Sequence, residues 1–460
     1  MTADSLASES LAADPLAVVI LAAGRGTRMR SRLPKVLHPV GQRPLLDHVL
    51  EAAAGLDAAR RVVVLGRGMD EVAALCARRG AETVVQDPPR GTGDAVRAAA
   101  ALLAGHAGPV LVLYGDTPLL GPETLSGLLR ARAPGGLSLL TFRPPEPGGY
   151  GRVLCDADGQ VAAIVEARDA SAEQLAVDLC NAGPLAAPGP GLFRLLAGLD
   201  DANAQGEVYL TDVVAGARAA GLTVHPFEAP ADDLQGINTR ADLAVAERIF
   251  QGRRREAAMA GGATLVDPAT VWFAADTSLG RDVVIEPNVV FGPGVTVEDE
   301  VRIKAFCHIE GAHLSRGVTV GPFARLRPGA ELAADAKVGN FVEVKAARIG
   351  RGAKVSHLTY VGDADVGADA NLGAGTITCN YDGFAKHRTV IGAGAFIGSN
   401  SALVAPVRIG DGAMVAAGST ITGDVGEDAL AIARGEQKNL SGAAARFRRS
   451  RAGSKTSKES

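Results

Sequence analysis

The sequence is poor in aromatic residues and in cysteine. Of its 460 residues only 4% are aromatic, and one is Trp. The five cysteines are scattered and form no Cys-x-x-Cys pair, so neither a zinc site nor a disulfide framework is predicted. Unpaired thiols in odd number are typical of a reducing compartment, and we expect a cytoplasmic protein. Together with 57 Gly, the shortage of bulky side chains suits a solenoid of thin turns.

Strong charge and long apolar runs are also missing. The formal net charge is −4, whereas a general nucleic-acid binder usually presents a basic face. No apolar run reaches the roughly 18 residues that a membrane span requires. Residues 1–15 carry Asp4, Glu9 and Asp14 in place of the basic start of a signal peptide. We therefore expect a soluble protein of two or more domains that binds neither nucleic acid nor membranes.

What the chain does contain is a hexad repeat, which extends from about Val283 to Ile421. An aliphatic residue returns at every sixth position and is often followed by Gly. This period fits neither an amphipathic helix nor an isolated strand, but it fits a short strand and a turn repeated along a shared axis. The repeat therefore predicts a parallel β-helix. Its first run consists of Ile285, Phe291, Val297, Ile303 and Ile309.

The repeat is broken between Leu372 and Ile391, where the sequence reads GAGTITCNYDGFAKHRT. An insertion in a repeat protein forms a loop on one face, which is often the working face. Polar residues that a solenoid axis does not need occur in successive turns before this gap, and in and beside the gap itself. They are Arg327, Glu343, Lys345, His357, Tyr360, Asn371, Asn380, Tyr381 and Lys386. A purely structural solenoid is the alternative, but the filled gap between Gly373 and Arg388 favours an active site.

The N-terminal half alternates short apolar runs with amphipathic stretches, which is typical of an α/β domain with a mainly parallel sheet. The first run is PLAVVILAA, which ends at Ala23. The predicted elements that follow are a strand at Arg61–Leu65, a helix at Asp70–Arg79, a strand at Thr83–Gln86, a helix at Thr92–Leu103 and a strand at Val110–Tyr114. Ligands bind beyond the carboxyl ends of such strands, so the loops after Ala23, Val85 and Tyr114 are candidate sites.

All three loops carry groups that suit a nucleotide. GRGTRM combines two glycines with two arginines, and Lys35 follows nearby, which suggests a polyphosphate cradle or a structural turn. The loop is neither a Walker A motif nor a dinucleotide fingerprint. Asp116 ends an apolar strand, where a carboxylate can ligate Mg²⁺ or cap a helix predicted at Pro118–Leu129. Gln86 offers an amide that either matches a base edge or is simply solvated.

The motifs LAAGRGTRM, LPKVLH, GTGDA, LYGD, GYGR and IVEARDA resemble those of sugar-1-phosphate nucleotidyltransferases. With the hexapeptide repeats that follow, the chain from about residue 16 to 438 resembles the bifunctional N-acetylglucosamine-1-phosphate uridyltransferase/glucosamine-1-phosphate acetyltransferase family. The resemblance implies a Rossmann-like α/β domain and a left-handed parallel β-helix. The implied segments are a disordered extension (1–15), the uridyltransferase domain (16–238), a linker helix (239–262), the acetyltransferase β-helix (263–440) and a disordered basic tail (441–460).

The resemblance also implies roles for residues of the first domain. Arg28 and Lys35 would stabilise pyrophosphate, and Asp116 and Asn238 would ligate Mg²⁺. The residues implied to hold UTP or the UDP-sugar are Leu21, Ala22, Ala23, Gly24, Lys35, Gln86, Gly91, Thr92, Tyr114, Gly115, Asp116, Gly151, Glu166, Asn181 and Asn238. Attack of a sugar phosphate on the α-phosphorus brings anions together, so cations must screen them, and no protein nucleophile is needed.

Two positions depart from the family pattern. Ala182 stands where threonine is common, so the hydrogen bonds around Asn181 lack a hydroxyl partner. Arg25 stands where lysine is common, which keeps the charge. The second departure does not change the charge of the loop.

For the β-helix, the resemblance implies that His357 is the general base for the sugar ammonium and that Glu343 orients the site. Glucosamine-1-phosphate would be bound by Arg327, Lys345, Tyr360, Asn371 and Lys386. Acetyl-CoA would be accommodated by Ala374, Asn380, Tyr381, Ser399, Ala417 and Arg434. An amine must lose a proton before it attacks a thioester, and imidazole is suited to accept it. We interpret Cys307 and Cys379 as packing residues, because direct transfer needs no covalent step.

We therefore expect an enzyme that acetylates glucosamine-1-phosphate from acetyl-CoA and then joins the product to UTP with release of pyrophosphate. The UDP-N-acetylglucosamine formed would feed peptidoglycan and lipopolysaccharide precursors. The family also implies Mg²⁺ and a homotrimer through the β-helix. A monofunctional nucleotidyltransferase with a purely assembling β-helix and a silent regulatory subunit are the alternatives. Retention of Arg28, Lys35, Asp116 and Asn238 argues against the second of these.

Overall fold

The computed structural model describes residues 15–24, 26–201 and 206–452. Residues 1–14 of the predicted extension, and Arg25, lie outside the described residues. The chain divides into two compact units, with the boundary between Glu256 and Ala257. This boundary falls inside the predicted linker helix, and each unit is described by itself. Within the described ranges, no helix combines the length and the apolar character that a membrane crossing requires.

The described part of the first unit is built on a nine-stranded mixed sheet. The strands of this unit are β1 (Ala17–Leu21), β2 (Pro39–Val40), β3 (Arg43–Pro44), β4 (Arg60–Gly66), β5 (Glu82–Gln86), β6 (Pro109–Tyr114), β7 (Leu137–Phe142), β8 (Arg152–Cys155), β9 (Val161–Val165), β10 (Cys180–Pro188) and β11 (Val224–Glu228). The main path has the order β11-β7-β10-β6-β1-β4-β5. Strand β8 pairs with β10, β9 pairs with β8, and β2 and β3 form a separate pair. Strands β1, β4, β5 and β6 are parallel, whereas β10 runs antiparallel to β6 and β7.

The helices are α1 (Leu45–Ala54), α2 (Asp70–Arg78), α3 (Thr92–Ala98), α4 (Pro122–Ala131), α5 (Ala172–Leu175), α6 (Gly189–Ala197), α7 (Val213–Ala219), α8 (Arg240–Ala260) and α9 (Ala443–Ala452). The helix predicted to reach Leu103 ends at Ala98, where the backbone tightens into turns with i→i+3 hydrogen bonds. The helix predicted to begin at Pro118 begins at Pro122 instead. Gly121 precedes a proline and is thereby disfavoured in helical conformation, while Pro122 suits the first turn.

Alternation along the buried strands divides the core of this unit between the two faces of the sheet. In β1, Val18 and Ile20 belong to a hydrophobic cluster that also contains residues of α1, α2 and α4. Ala17 and Val19 belong to a second cluster with residues of α3, α6 and α7. Such a run, buried on both sides, is the pattern of a covered parallel sheet. The cover leaves the carboxyl ends of β1, β5 and β6 to form a site.

The start of α8 is fixed by a reciprocal cap. Asp242 Oδ2 accepts the Thr239 backbone N–H at 2.8 Å, and Thr239 Oγ1 accepts the Asp242 N–H at 3.2 Å. The apolar side of this helix packs on the first unit, because Leu243, Ala246 and Phe250 join a cluster with Met29. The N-terminal part of α8 is thus part of the first unit, although the sequence predicts a linker here.

The second unit repeats a coil of three short strands. In chain order these are β12 (Thr264–Leu265), β13 (Ser278–Leu279), β14 (Val284–Ile285), β15 (Val290–Phe291), β16 (Thr296–Val297), β17 (Arg302–Ile303), β18 (His308–Ile309), β19 (Ala312–Leu314), β20 (Thr319–Val320), β21 (Arg325–Leu326), β22 (Ala330–Leu332), β23 (Lys337–Asn340) and β24 (Glu343–Lys345). They continue with β25 (Ala347–Ile349), β26 (Lys354–His357), β27 (Tyr360–Gly362), β28 (Ala364–Val366), β29 (Asn371–Leu372), β30 (Ile377–Cys379), β31 (Thr389–Ile391), β32 (Phe396–Ile397), β33 (Ala402–Val404), β34 (Val407–Ile409), β35 (Met414–Val415), β36 (Thr420–Ile421) and β37 (Leu430–Ala431).

These strands stack into three parallel sheets, which we call faces A, B and C. Face A runs β12-β14-β17-β20-β23-β26-β29-β32-β35-β37, face B runs β15-β18-β21-β24-β27-β30-β33-β36, and face C runs β13-β16-β19-β22-β25-β28-β31-β34. The hexad side chains point inward and form one continuous core, so the predicted left-handed parallel β-helix is confirmed. The chain turns between faces at corners, and several corner residues have positive φ.

The tail differs from the prediction of disorder. Helix α9 occupies part of it, and residues 453–460 lie outside the described residues. Ala and Arg dominate α9 and are strong helix formers, which explains a helix without a large apolar stripe.

We expect the hexad core to carry the stability of the β-helix. Leu372→Ala removes a side chain that is 1% exposed and should lower the free energy of unfolding by about 2–5 kcal/mol, because the rigid axis leaves a cavity. Leu430→Ala, at a residue of the last face A strand that is 61% exposed, is the matched control and should change it little. Denaturant titration followed by far-UV circular dichroism makes the comparison. Equal losses in both variants would contradict the inward assignment.

Candidate active sites

A cleft of about 370 Å³ opens at the carboxyl ends of β1, β5 and β6. Its lining consists of Leu21, Ala22, Ala23, Gly24, Lys35, Val36, Gln86, Pro89, Gly91, Thr92, Ala95, Tyr114, Asp116 and Glu207. Most of these residues are ones that the sequence predicts to hold the nucleotide. Val36, Pro89, Ala95 and Glu207 were missed, although the first three flank or lie within the predicted motifs. Glu207 comes from a distant loop, and no local pattern marks it.

The first loop brings Lys35 against the backbone at Gly26. Gly26 has φ +61°, and a Cβ placed there would lie 2.5 Å from Lys35 Cβ. Glycine therefore satisfies both the left-handed backbone and the close approach. The next residues, Thr27–Met29, form a short 3₁₀ turn that buries Met29 and leaves Arg28 exposed. The loop thus sets two cations at the edge of the cleft.

Arg28 and Lys35 converge on the two predicted metal ligands. Lys35 forms an ion pair with Asp116, and its Nζ lies 3.3 Å from Asn238 Oδ1. Arg28 Nη2 donates to the same Asn238 oxygen at 2.9 Å. The segment that carries Asn238 is held beside β6, because Ile237 N donates to Asp116 O at 3.0 Å. Residues that are distant in sequence thereby form one cluster.

The oxygens of this cluster suit a hard divalent cation. The Asp116 carboxylate and the Asn238 amide oxygen both accept from the Lys35 ammonium, so they converge on one cationic position. Mg²⁺ takes oxygen ligands and usually combines one or two carboxylates with waters and substrate phosphates. Across residues 15–24, 26–201 and 206–452 there is no group of three His, Cys, Asp or Glu placed to hold a metal. The two protein oxygens therefore fit a divalent cation whose remaining ligands come from the phosphates of the substrate.

Hydrogen bonds fix the loop after β5 before any ligand binds. Gln86 is buried, and its Nε2 donates to Gly91 O at 3.0 Å and to Asp94 Oδ2 at 2.9 Å. Thr92 Oγ1 accepts from Leu210 N at 3.0 Å. The amide nitrogen of Gln86 thus has two acceptors inside the protein. Its position in the cleft is as predicted.

The residues predicted for the sugar lie beside Tyr114. Asn181 shares a small hollow with Tyr114, and its backbone N–H donates to Gly151 O at 2.8 Å. Asn181 Oδ1 accepts from Gly183 N at 3.0 Å. Ala182 packs against the hydrophobic cluster that contains Val18 and Ile20. The missing hydroxyl at this position is therefore replaced by apolar packing.

Glu166 and Tyr114 supply the titratable groups near this hollow. Burial raises the pKa of Tyr114, and the Asp116 carboxylate adds to the rise, so the phenol stays protonated. Burial also raises the pKa of Glu166, although Thr211 Oγ1 donates to it at 3.5 Å. The carboxylates of Asp169 and Asp212 act in the same direction. A half-buried carboxyl that keeps a raised pKa is suited to exchange hydrogen bonds with a sugar.

On the β-helix, His357 lies at the A/B corner. Its Nδ1 is 2.5 Å from Asn340 Oδ1, one coil below. Since an amide oxygen only accepts, Nδ1 carries the proton and Nε2 is left as the basic nitrogen. Sequence reasoning missed Asn340, because the two residues are 17 positions apart and only the coil register joins them.

The same corner collects most of the residues predicted for acetyl-CoA. Backbone hydrogen bonds link His357 O to Gly375 N, Ala374 O to Asn400 N, and Ser399 O to Gly418 N. His357, Ala374, Ser399 and Ala417 therefore form a column along the β-helix axis. Arg434 closes the column, since its Nη1 donates to Ala417 O at 2.7 Å. We call these five residues the corner column.

The predicted phosphate-binding cations lie at the far ends of the face B strands. Arg327 Nη1 pairs with Glu343 Oε1 at 2.8 Å. In the next coil, Lys345 Nζ lies 3.1 and 3.2 Å from the two carboxylate oxygens of Asp363. Asn380 Nδ2 donates to the same Asp363 carboxylate and, at 3.3 Å, to Tyr360 Oη. Asp363 was not predicted from the sequence.

Gly362 makes this arrangement possible. A Cβ at this position would lie 2.3 Å from Tyr360 Oη and 2.7 Å from Asn380 Nδ2. The register places Gly362 directly beside Lys345 on the neighbouring strand. The absence of a side chain thus creates the space in which the Tyr360 hydroxyl and the Asn380 amide meet.

The insertion forms a compact loop braced from inside by Asp382. Its Oδ1 accepts from Phe384 N at 2.8 Å and from Ala385 N at 2.7 Å. Its Oδ2 lies 2.6 Å from His387 Nε2. These bonds hold the pKa of Asp382 well below its usual range. The loop also carries Lys386, whose Nζ lies 4.3 Å from the centre of the Tyr381 ring.

The structure does not gather all predicted residues at one point. Asn371 aligns with Lys354 and Phe396 on face A. His357 pairs with Asn340 at the A/B corner, whereas Arg327 and Lys345 stand at the other end of the face B strands. Residues predicted to bind one sugar phosphate therefore lie on two different faces of the β-helix, faces A and B.

Cys307 and Cys379 do not suit a covalent mechanism. Burial raises the pKa of the Cys307 thiol to about 11, so the reactive thiolate is disfavoured. Cys307 packs in the axial core, and Cys379 is half-buried on face B. Their interpretation as packing residues agrees with these surroundings.

Each of the two units matches a different family model. Residues 18–180 match the family model of the MobA-like NTP transferase domain. Residues 276–311 and 388–423 match the bacterial transferase hexapeptide model of six repeats. The fold and the sites thus define a two-part transferase, in which a nucleotidyltransferase domain is followed by a hexapeptide β-helix.

Relatives cover nearly the whole length. The chain is 54% identical to the bifunctional protein GlmU of Paramagnetospirillum magneticum, over 98% of this chain and 100% of that protein. It is 57% identical to the bifunctional proteins GlmU of Xanthobacter autotrophicus and Azorhizobium caulinodans, each over 95% of this chain and 98% of theirs. The chain belongs to the GlmU family. This membership confirms the predicted bifunctional enzyme, with uridyltransferase and acetyltransferase activities.

The raised pKa of Glu166 predicts a pH-dependent stability. Because the folded state holds this proton more tightly than the unfolded state, stability falls as pH rises from about 4.5 through the folded pKa. Glu166→Gln should therefore raise the melting temperature of the ligand-free protein at pH 8 and leave it unchanged near pH 4. Differential scanning fluorimetry checks this, with Glu146→Gln at an exposed position as control. A lower melting temperature at pH 8 would refute the prediction.

The crowding at Gly362 predicts a selective loss. Gly362→Ala should displace the Tyr360 hydroxyl and Asn380 by about 1 Å and reduce acetyl transfer roughly 10- to 100-fold, while uridylyl transfer is unchanged. Gly423→Ala is the control, since no atom lies within 4 Å of a Cβ there. Both activities are measured on the same preparations. Full acetyltransferase activity in Gly362→Ala would contradict the assigned crowding.

Proposed function

We propose that the protein makes UDP-N-acetylglucosamine in the cytoplasm with two separate sites. The β-helix acetylates glucosamine-1-phosphate from acetyl-CoA, and the α/β unit then transfers uridylyl from UTP and releases pyrophosphate. The observation that carries the uridylyl assignment is the cluster of Lys35, Arg28, Asp116 and Asn238 at the edge of the cleft. The observation that carries the acetyl assignment is the oriented His357 at the foot of the corner column.

In the first unit, the sugar phosphate oxygen forms a bond to the α-phosphorus while the bond to pyrophosphate breaks. Lys35 and Arg28 screen the anions and stabilise the leaving pyrophosphate. Gln86, Gly91 and Thr92 hold the nucleoside, and Tyr114 begins the sugar pocket. The remaining sugar contacts are assigned to Gly115, Gly151, Glu166 and Asn181. Because the fixed backbone sets these groups before binding, the reactants are held in line.

Asp116 and Asn238 are the residues that would hold Mg²⁺. When bound, the ion supplies charge neutralisation between the phosphates of the two substrates. The Lys35 ammonium faces the same two oxygens, which supports a position that favours a cation.

In the second unit, His357 accepts a proton from the glucosamine ammonium at Nε2. The neutral amine forms a bond to the thioester carbonyl carbon and the carbon–sulfur bond breaks. The second proton of the nitrogen goes to the departing thiolate, and the proton held by His357 is released to solvent. Asn340 holds the imidazole in the tautomer that this step requires. Arg327, Lys345 and Lys386 are assigned to the sugar phosphate, for which charge-assisted hydrogen bonds are suited. Tyr360 and Asn371 complete that assignment.

The shape of the corner column supports acetyl-CoA as the second substrate. Ala374, Ser399 and Ala417 carry small side chains on successive coils. With about 4.8 Å between coils, the column extends for roughly 14 Å above His357. An extended arm fits along such a strip, with its thioester end at His357 and its phosphates near Arg434. Asn380 and Tyr381, which belong to the insertion loop at the B/C corner, are also assigned to acetyl-CoA.

A homotrimer through the β-helix is supported by an exposed apolar ladder. Phe306, Phe323 and Phe341 stack ring on ring, 4.9 and 5.2 Å apart, and continue to Leu358 beside His357. Burying these rings against a second copy would remove apolar surface from water. The split placement of Asn371 and Lys345 supports the same assembly, because residues of face A and face B from different copies can then meet at one substrate.

Separate assays of the two half-reactions test the proposal. His357→Ala should lower release of CoA from acetyl-CoA and glucosamine-1-phosphate at least about 100-fold, through loss of the base. Asp116→Asn should lower release of pyrophosphate from UTP and N-acetylglucosamine-1-phosphate by a similar factor. Each variant should keep the other activity, so each serves as the other's folding control. If the parent protein releases no CoA, the acetyltransferase assignment is wrong and the protein is a nucleotidyltransferase whose β-helix only assembles subunits.

A further inference from the structure

Asp363 joins residues that the proposed function assigns to different substrates. Its carboxylate accepts from Lys345, assigned to the sugar phosphate, and from Asn380, assigned to acetyl-CoA. We propose that Asp363 is a positioning residue of the acetyltransferase, which sets Lys345 and Asn380 relative to each other through its two carboxylate oxygens. This inference rests on the proposed function and adds a residue to it.

The scaffold itself does not require a carboxylate at this corner. Asp363 follows β27 with φ +47°, and the corresponding B/C corners of the three preceding coils carry Gly311, Gly329 and Ala346 with φ of +52°, +80° and +46°. Glycine adopts this left-handed conformation without strain, whereas a side chain is tolerated at a cost. The backbone bond of this corner, from Asp363 N to Lys345 O at 3.0 Å, is independent of the side chain. We therefore attribute the carboxylate at this corner to its hydrogen bonds with Lys345 and Asn380.

The contacts are well suited to holding a flexible cation in place. A lysine ammonium has three donors on a stem with four rotatable bonds, and ordering it costs side-chain entropy. Paired with both oxygens of Asp363, Lys345 is only 27% exposed, and its direction is fixed before substrate arrives. Asn380 is buried and held by the other side of the same carboxylate, with Tyr360 as its second acceptor.

Positioning and simple electrostatics predict opposite results. A carboxylate beside Lys345 reduces the positive potential that attracts a phosphate, so its removal would tighten phosphate binding if charge alone mattered. If Asp363 positions Lys345 and Asn380, removal of its carboxylate raises the KM for both substrates. An asparagine tests this, because it removes the charge and puts an NH2 donor in place of one of the two oxygens that accept from Lys345.

We expect Asp363→Asn to raise the KM for glucosamine-1-phosphate and the KM for acetyl-CoA about tenfold each, with uridylyl transfer unchanged. Asp369→Asn is the matched control, since Asp369 also has positive φ at a β-helix corner and pairs with Arg351 at 3.5 Å in an exposed position. It removes the same charge without touching the site. Its KM values should equal those of the parent.

A double-mutant cycle with Lys345→Met separates positioning from a general effect on folding. If Asp363 acts on the sugar phosphate through Lys345, adding Asp363→Asn to Lys345→Met should leave the KM for glucosamine-1-phosphate within about twofold. Independent, additive effects would overturn the inference, as would a lower KM in Asp363→Asn. Either result leaves the proposed function intact, provided that the parent acetylates glucosamine-1-phosphate. An inactive parent would refute the proposed function itself.

Discussion

The acetyltransferase half depends on the in-register hydrogen bonding of one coil to the next. Each strand pairs in parallel with the strand one coil away, so a position within the coil recurs as a column along the axis. Inward columns become the core, and outward and corner columns are left for other uses. A site can therefore be composed by choosing residues at one corner over several coils, as in the corner column from His357 to Arg434. No helix or loop is needed to aim these side chains.

The α/β unit solves the same problem differently. There, parallel strands end at one edge, and each loop contributes one or two groups to a shared cleft. The close approach of Gly26 to Lys35 and the bond from Ile237 N to Asp116 O fix these loops to one another. The cations of the cleft are paired with the oxygens of the predicted metal site. Charge is thus balanced inside the site before a substrate introduces more of it.

The sequence predicts this architecture well because its signals are periodic or local. The hexad residues are counted off every sixth position, and the nucleotide loops follow apolar runs. Asn340, Asp363 and Glu207 escaped prediction for a common reason. Their partners lie far along the chain, at 17 or 18 positions for the β-helix pairs, and a single polar residue carries no period. The contact of Gln86 with a base stays a prediction, and its nitrogen bonds to Gly91 and Asp94 inside the protein.

The insertion loop leaves and rejoins the β-helix at the same corner. Thr389 N donates to Asp363 O, and His387 N donates to Asn380 O, so the chain resumes the stack in phase. The strands of each face keep a fixed length and register, whereas a loop inserted at a corner can vary in length. A family built on this plan can exchange one corner loop for another without altering the axis. Substrate range can then change independently of stability, since the excursion and the core share no side chains.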